Sequence, residues 1–292
     1  MSAATSVYYT PFVGNLVPIY NGSRHVPTEF TELTLDLVAS HTASSIYDVF
    51  VFSNGGVLTS ITGPASTTAT AGAGARGSGA GTTQLTRVNG YLVNAVSMTG
   101  RNGSTTYSGI GANLATYVGS IFMDGSNGQV TCHRTYGQNR KWGVWNAYNR
   151  QPIMLKAGDY TASWAYNTAT IRASNNSTSN GPTLFCGLAE ELLDIEFVQS
   201  MLHGDSNRTS GVTDCGIGWN STTAMSGRIG RVRSTIEDQE TGGDGKAWFV
   251  QVPSLGINTV TALENTSDIS ASTSPTYYGT ETNMLLTARW RR

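Results

Sequence analysis

The stretch TATAGAGARGSGAGTTQLTRVNG, residues 68–90, decides how the rest of the chain is read. Gly72, Gly74 and Gly77 stand in the spacing G-x-G-x-x-G. In a dinucleotide-binding α/β fold that spacing turns a strand into a helix whose first amides face a pyrophosphate. The chemistry needs a strand directly before the glycines and a helix directly after them. Here Pro64 and the run ASTTATA precede them, and SGAGTTQLTRVNG beyond them has no helical period. Five glycines between Gly72 and Gly81 supply conformational freedom instead. The stretch reads as a connecting loop, no cofactor is expected, and the chain reads as all-β.

Composition points the same way. Only 13% of the 292 residues are charged, against about 25% in an average soluble protein, while 39% are hydrophobic and 34 are glycine. Ser, Thr, Asn and Gly take the place of the missing charge, and these are residues of exposed strand faces and tight turns. A net charge of −1 draws in no polyanion, so nucleic acid is not an expected partner. No run approaches the roughly 18 apolar residues of a membrane-spanning helix, and membrane insertion is not expected. The opening MSAATSVYYTPFVGNLVPIYNG lacks the basic and apolar regions of a secretory signal. Cys132, Cys186 and Cys215 lie far apart in no C-x-x-C arrangement, and read as free, buried thiols of a protein assembled in a reducing cytoplasm.

Outward from the glycines the chain alternates. In LTLDLVA (33–39), Leu33, Leu35 and Leu37 share one face and Thr34 and Asp36 the other, the period of a half-buried strand. IYDVFVF (46–52) and VLTSI (57–61) flank Asn54-Gly55-Gly56, a hairpin turn because Asn-Gly accepts positive φ. Further strands are expected at 90–98, 116–123, 129–136, 142–148, 159–166, 169–173, 215–219, 247–253, 257–263 and 284–290. GLAEELLDIEFVQSML (187–202) reads as a short helix or as a strand, with the alternation of LLDIEFVQ favouring strand.

Strand count and a break near NRQPIMLKAGD (149–159) predict two antiparallel β-sandwich, jelly-roll-like domains, 31–150 and 151–292. Residues 1–30 carry Pro11, Pro18 and Pro27 among Tyr8, Tyr9, Phe12 and Tyr20. The prolines oppose a helix and a central strand, so the segment reads as an extended docking arm that packs on its own or a neighbouring subunit. Removal of residues 1–28 is then expected to leave a folded body.

No catalytic or metal-binding residue is assigned. His25, His41, His133 and His203 are scattered, without H-E-x-x-H, and no G-x-S-x-G elbow is present. MDGSNGQ (123–129) lacks the ligand spacing of a calcium loop and reads as a hairpin turn. Glu190, Glu191, Asp194 and Glu196 read as a solvated face. RKWGVWNAYNR (140–150) and RWRR (289–292) offer aromatic and basic groups for stacking on sugars, or more commonly anchors in a core or subunit contact. Trp142, Trp145, Tyr148 and Arg150 are the candidate glycan or subunit contacts. Trp219 and Trp248 are further candidate platforms for a glycan.

Residues 116–150, TYVGSIFMDGSNGQVTCHRTYGQNRKWGVWNAYNR, resemble a group of tailed-bacteriophage virion proteins of tail-fibre, head-fibre or similar exterior type. The likeness rests on Tyr117, Val118, Gly119 and Ser120, leading to Trp145, Asn146, Tyr148, Asn149 and Arg150, with support from YYTPFVGNLVPIYNG and SSIYDVFVF. The resemblance implies a non-enzymatic, β-rich, trimeric component of the particle exterior, assembled in the host cytoplasm. Its expected partners are virion proteins such as the major capsid protein or tail proteins. The lack of a repetitive shaft favours a capsid-decorating protein or short head fibre. The alternative is a tail fibre that binds a host surface glycan. A glycan-degrading enzyme would need two carboxylates about 5–10 Å apart, drawn from residues such as Asp159, Asp194 or Asp214.

Overall fold

A computed structural model describes residues 1–66, 84–203, 211–234, 240–267 and 275–291. The glycine-rich stretch that opened the sequence analysis, through Gly81, lies outside the described residues. The protein is all-β, with 59% of the described residues in strands. Among the described residues the sole helical segment is a 3₁₀ turn, Ser174–Asn176.

Four short strands open the chain: β1 (Ser6–Tyr9), β2 (Leu16–Tyr20), β3 (His25–Glu29) and β4 (Leu33–Asp36). Next come β5 (Ile46–Asn54), β6 (Val57–Ser66), β7 (Leu85–Val88), β8 (Tyr91–Asn94), β9 (Met98–Asn102), β10 (Thr105–Ile110) and β11 (Ala115–Phe122). Two three-residue strands, β12 (Arg140–Trp142) and β13 (Val144–Asn146), end the first half. The second half begins with β14 (Pro152–Ala157), β15 (Ser163–Ala165), β16 (Arg172–Ala173), β17 (Pro182–Cys186) and β18 (Leu193–His203). It ends with β19 (Gly211–Trp219), β20 (Ser226–Ser234), β21 (Thr241–Gln251), β22 (Gly256–Ser267), β23 (Thr276–Tyr278) and β24 (Met284–Arg291).

Alternation accounts for most of these strands. Along all of β18 buried residues alternate with partly exposed ones, so 187–202 resolves as a strand from Leu193 onward. QVTCHRTY (129–136) departs from expectation. It forms no strand and makes only the bridges Ala4↔Val130 and Cys132↔Trp142. MDGSNGQ is a turn in which Asp124 accepts hydrogen bonds from the Gly125 amide and the Thr131 hydroxyl.

Residues 1–30, expected as an extended docking arm that packs on its own or a neighbouring subunit, form short paired strands that pack on their own chain. β1 pairs with β4, and β2 with β3 in a hairpin that places Pro18 opposite Pro27. A two-stranded sheet has only edges, so each proline faces no partner that needs its missing N–H. Val17, Ile19 and Phe30 are buried in the main core, and the Thr116 hydroxyl on β11 donates to the Pro18 carbonyl. Deleting residues 1–28 would therefore uncover core surface.

Two large sheets hold most of the remaining strands. The first has the order β10-β9-β6-β5-β11-β8-β7, with β13 sharing the free edge of β11. The second runs β12-β17-β22-β19-β20-β21-β18-β23-β15, with β24 between β14 and β18 and β16 on β22. The pairings are antiparallel except that of β12 with β17. One sheet forms a nearly closed barrel. The second sheet curls back on itself: the Thr266 amide on β22 reaches the Thr168 carbonyl at 2.9 Å, and the Tyr166 amide reaches Pro275 at 3.2 Å. Glycines set its tight radius. A Cβ on Gly245 would stand 2.3 Å from Met201 and 2.9 Å from Cys215, and one on Gly230 2.6 Å from Cys215.

One contiguous core runs from Val17, Leu35 and Val49 through Ile121 and Trp145 to Leu155, Phe197, Cys215 and Leu286. A second cluster, with Phe50, Phe52, Ile61 and Tyr117, lies on the other face of the first sheet. Both faces of β5 are therefore buried, which explains its continuous apolar run. The three cysteines are buried.

Close approach at Gly119 supplies a test. A Cβ there would meet the Trp145 carbonyl oxygen at 2.3 Å, whereas Gly14 has nothing within 4 Å. Gly119→Ala is expected to destabilise the protein by about 2 kcal/mol in thermal or denaturant unfolding. Gly14→Ala is expected to leave the transition unchanged, and equal midpoints for the two variants would refute the packing described.

Candidate functional site

The segments that carry the phage resemblance meet in space. Gly119, Ser120 and Ile121 on β11 pair with Asn146, Trp145 and Val144 on β13. The Tyr117 and Ser120 hydroxyls lie 2.6 Å apart, and Ser120 donates to Asp48 at 2.6 Å, all of them buried. Beyond β13 the Asn146 side-chain oxygen accepts the amides of Tyr148 and Asn149 at 3.0 and 2.8 Å, which makes the turn. Arg150 then binds Glu190 at 2.6 Å and Glu191 at 3.1 Å, with its guanidinium 5.3 Å from the centre of the Trp145 ring. This arrangement is a joint between strands.

The four contact residues expected in this segment therefore separate. Trp142 and Trp145 are 5% and 1% exposed, as core anchors are, and are not the glycan contacts that the sequence also allowed. Trp142 is covered by the Arg134 guanidinium at 5.1 Å, beside a groove of about 600 Å³ that also touches Tyr8, Cys132 and His133. Arg150 is committed to two carboxylates. Tyr148 remains exposed.

Tyr148 lines a groove of about 310 Å³ together with Tyr9, Phe12, Val13, Leu16 and Phe30. Tyr9 stacks on Phe30 with centroids 4.8 Å apart, which fixes the floor. Phe12, Val13 and Leu16 are 67%, 93% and 55% exposed and form an apolar ridge beside it. Of the four docking aromatics expected, Tyr8 and Phe12 are exposed, Tyr9 is partly buried, and Tyr20 packs on His25 at 5.2 Å. Sequence reasoning passed over Val13 and Leu16. Their signal is an apolar pair in VGNL (13–16), at the entry to β2.

A second exposed surface lies on the outer face of the second sheet. Lys246, Trp248 and Val250 on β21 alternate outward, while Ala247 between them is buried. Glu196 on β18 and Arg228 on β20 are the cross-strand partners of Trp248. The indole N–H donates to Asp194 at 2.7 Å, which holds the ring in one orientation. Lys246 pairs with Glu196 at 2.8 Å, and Arg289 lies 3.6 Å from Asp194 and 3.5 Å from Glu196. The hydrogen bond from Lys246 holds the Glu196 carboxyl below its ordinary range against the opposing effect of burial, and Arg289 adds to it. Glu196, Arg228, Lys246 and Trp248 line a depression of about 390 Å³. Trp219 instead packs against the core beside Phe249.

Asp214, Glu264 and Asp159 are held by structural partners. Asp214 makes a two-point pair with Arg231 at 2.7 and 2.9 Å. Glu264, fully buried, accepts Trp164 at 2.6 Å and Arg172 at 2.8 Å. Asp159 accepts Gln138, Asn175 and Asn180 on one oxygen and the Thr161 amide on the other. Asp159, Asp194 and Asp214 thus each have separate partners. Among the described residues, no three His, Cys, Asp or Glu side chains gather in a way that could hold a metal ion.

Asp159 gives a pH test. Burial alone would raise its pKa, but the bonds from Thr161, Asn180 and Asn175 outweigh it and the pKa is lowered. A lowered folded pKa stabilises the protein above the unfolded value of about 3.9, and that stability is lost as pH falls through the folded value. Asp159→Asn turns an amide toward donors that need an acceptor, and is expected to cost about 2 kcal/mol at pH 7. Denaturant titrations are expected to show a smaller loss of stability below pH 4 in the variant than in the parent, with parallel acid profiles counting against this assignment. No protein family, curated protein or solved structure matches the chain.

Proposed function

We propose that the protein is a non-enzymatic structural component of the exterior of a tailed-phage virion, a capsid-decorating or short head-fibre homotrimer. The observation that carries this reading is the apolar ridge of Phe12, Val13 and Leu16 beside the Tyr148 groove. A loop and the first residue of β2 beside it, which hold three large apolar side chains in water and are fixed at their base by buried Val17 and Phe30, are suited to seat in another protein. Its occupant in this reading is a neighbouring virion protein, such as the major capsid protein. The resemblance of residues 116–150 supplies the particle context and the trimer. In the same reading the two sheets represent two sandwich-like halves divided near residue 150. The first sheet draws its strands from Ile46–Asn146, and the second from Pro152–Arg291 together with β12 (Arg140–Trp142), the one described strand that crosses to it from before residue 150.

The exposed ridge can be changed without touching the core. Phe12→Asp combined with Val13→Asp is expected to keep the parent's β-type circular dichroism and thermal midpoint. Attachment to purified phage particles that lack the protein is expected to fall at least tenfold in a pelleting assay. Undiminished attachment, or parent protein that never binds such particles, would overturn the reading, as would a parent mass of one chain by light scattering.

A further inference from the structure

We infer that the outer face of the second sheet, centred on Trp248, binds a carboxylate-bearing pyranose such as a uronic or sialic acid residue of a glycan. Trp248 is 51% exposed although its neighbours in the strand sequence, Ala247 and Phe249, turn inward. An indole left in water forgoes the burial that favours large aromatic side chains. This one is also held still, because Asp194 accepts its N–H at 2.7 Å. The bond occupies the polar edge of the ring and leaves the flat π surface as the part available to a ligand. The apolar C–H face of a pyranose matches such a surface, and a ring already ordered loses little further entropy on binding.

The charges around the ring define the sugar. Asp194 and Glu196 are engaged by Lys246 and Arg289. Arg228, exposed and cross-strand from Trp248, has no ion pair among the described residues. Three cations against two carboxylates leave one positive charge on the face, positioned on the β20 side of the ring. A planar guanidinium there can take a carboxylate in two-point fashion while the sugar ring lies on the indole. Glu196 and Lys246, which line the same depression, present an acceptor and a donor for ring hydroxyls. This site stands apart from the ridge at Phe12 and does not depend on the virion role proposed above.

The test uses the full chain and saturation-transfer NMR with two acidic probes, a galacturonate trisaccharide and sialyl-lactose, each against its neutral counterpart. At least one acidic probe is expected to bind more tightly than its neutral counterpart, and which one does so identifies uronate or sialate as the source. Trp248→Ala is expected to weaken that binding about tenfold or more. Arg228→Gln is expected to remove the preference for the acidic probe. Both side chains lie on the exposed face, and unchanged circular dichroism verifies that the variants fold. The inference is overturned if neither acidic probe binds, if neutral probes bind equally well, or if Trp248→Ala leaves binding intact. It is also overturned if Trp248→Ala dissociates an oligomer in light scattering, which would make this face a contact between copies.

Discussion

The seat of Trp145 is the contact on which the rest of the structure depends. Its carbonyl occupies the space where a side chain on Gly119 would begin, and its ring lies 2.5 Å from where a Cβ on Gly187 would stand. Two residues without side chains let an indole sink to 1% exposure between β11 and the segment that follows β17. Truncating a buried ring of this kind costs about 3–5 kcal/mol in ordinary cores. Arg150 covers the ring and carries the contact to Glu190 and Glu191, so one side chain ties the first sheet to a loop of the second half. The core is continuous across the mid-chain break because this joint is closed.

Curling the second sheet creates a different demand, since its closing edge brings polar groups out of water. Burying Glu264 is costly unless its charge is paired and hydrogen-bonded. Trp164, Arg172 and the Asn175 amide meet that need from the segment that bridges β23 and β22. Asn175 also donates to Asp159, so its backbone and side chain link the two buried carboxylates. Its positive φ of 54° is a conformation that asparagine adopts more readily than most residues. Tyr277 is locked in the same region, stacked on Trp164 and bonded to Asn265 and Thr266. These groups are partners in closure, and their number explains why so many buried polar residues belong to the fold.

The ridge at Phe12 and the face around Trp248 are two of the surfaces that the fold does not consume. One is apolar, curved by a loop and close to the N-terminal strands. The other is flat, charged and held by ion pairs. Their chemistry differs, and the two surfaces suit different partners: a protein groove for the first and a polar ligand with one apolar face for the second. Pairs such as Lys246–Glu196 add little stability at an exposed site, so their value here is in orienting groups.

Legibility in the sequence followed periodicity. Strands β5, β11, β18, β22 and β24 were readable because one residue in two, or nearly every residue, had to be apolar, and Asn54-Gly55 marked its hairpin. The β9–β10 hairpin carries an equally direct signal, Asn102-Gly103, with φ of +56° at the glycine. β2 and β3 were masked by prolines that a two-stranded sheet tolerates. The fate of the tryptophans was not readable at all: RKWGVWN and KAWFVQV are locally alike, yet Trp145 is core and Trp248 is surface. By itself the sequence determined strand class and turn positions, because these depend on neighbours within a few residues. Only the tertiary structure decided which face of each strand met the core, where the second sheet curled, and which aromatic was left in water. Those outcomes depend on pairings between residues tens to more than a hundred positions apart, and a local pattern carries no information about such partners.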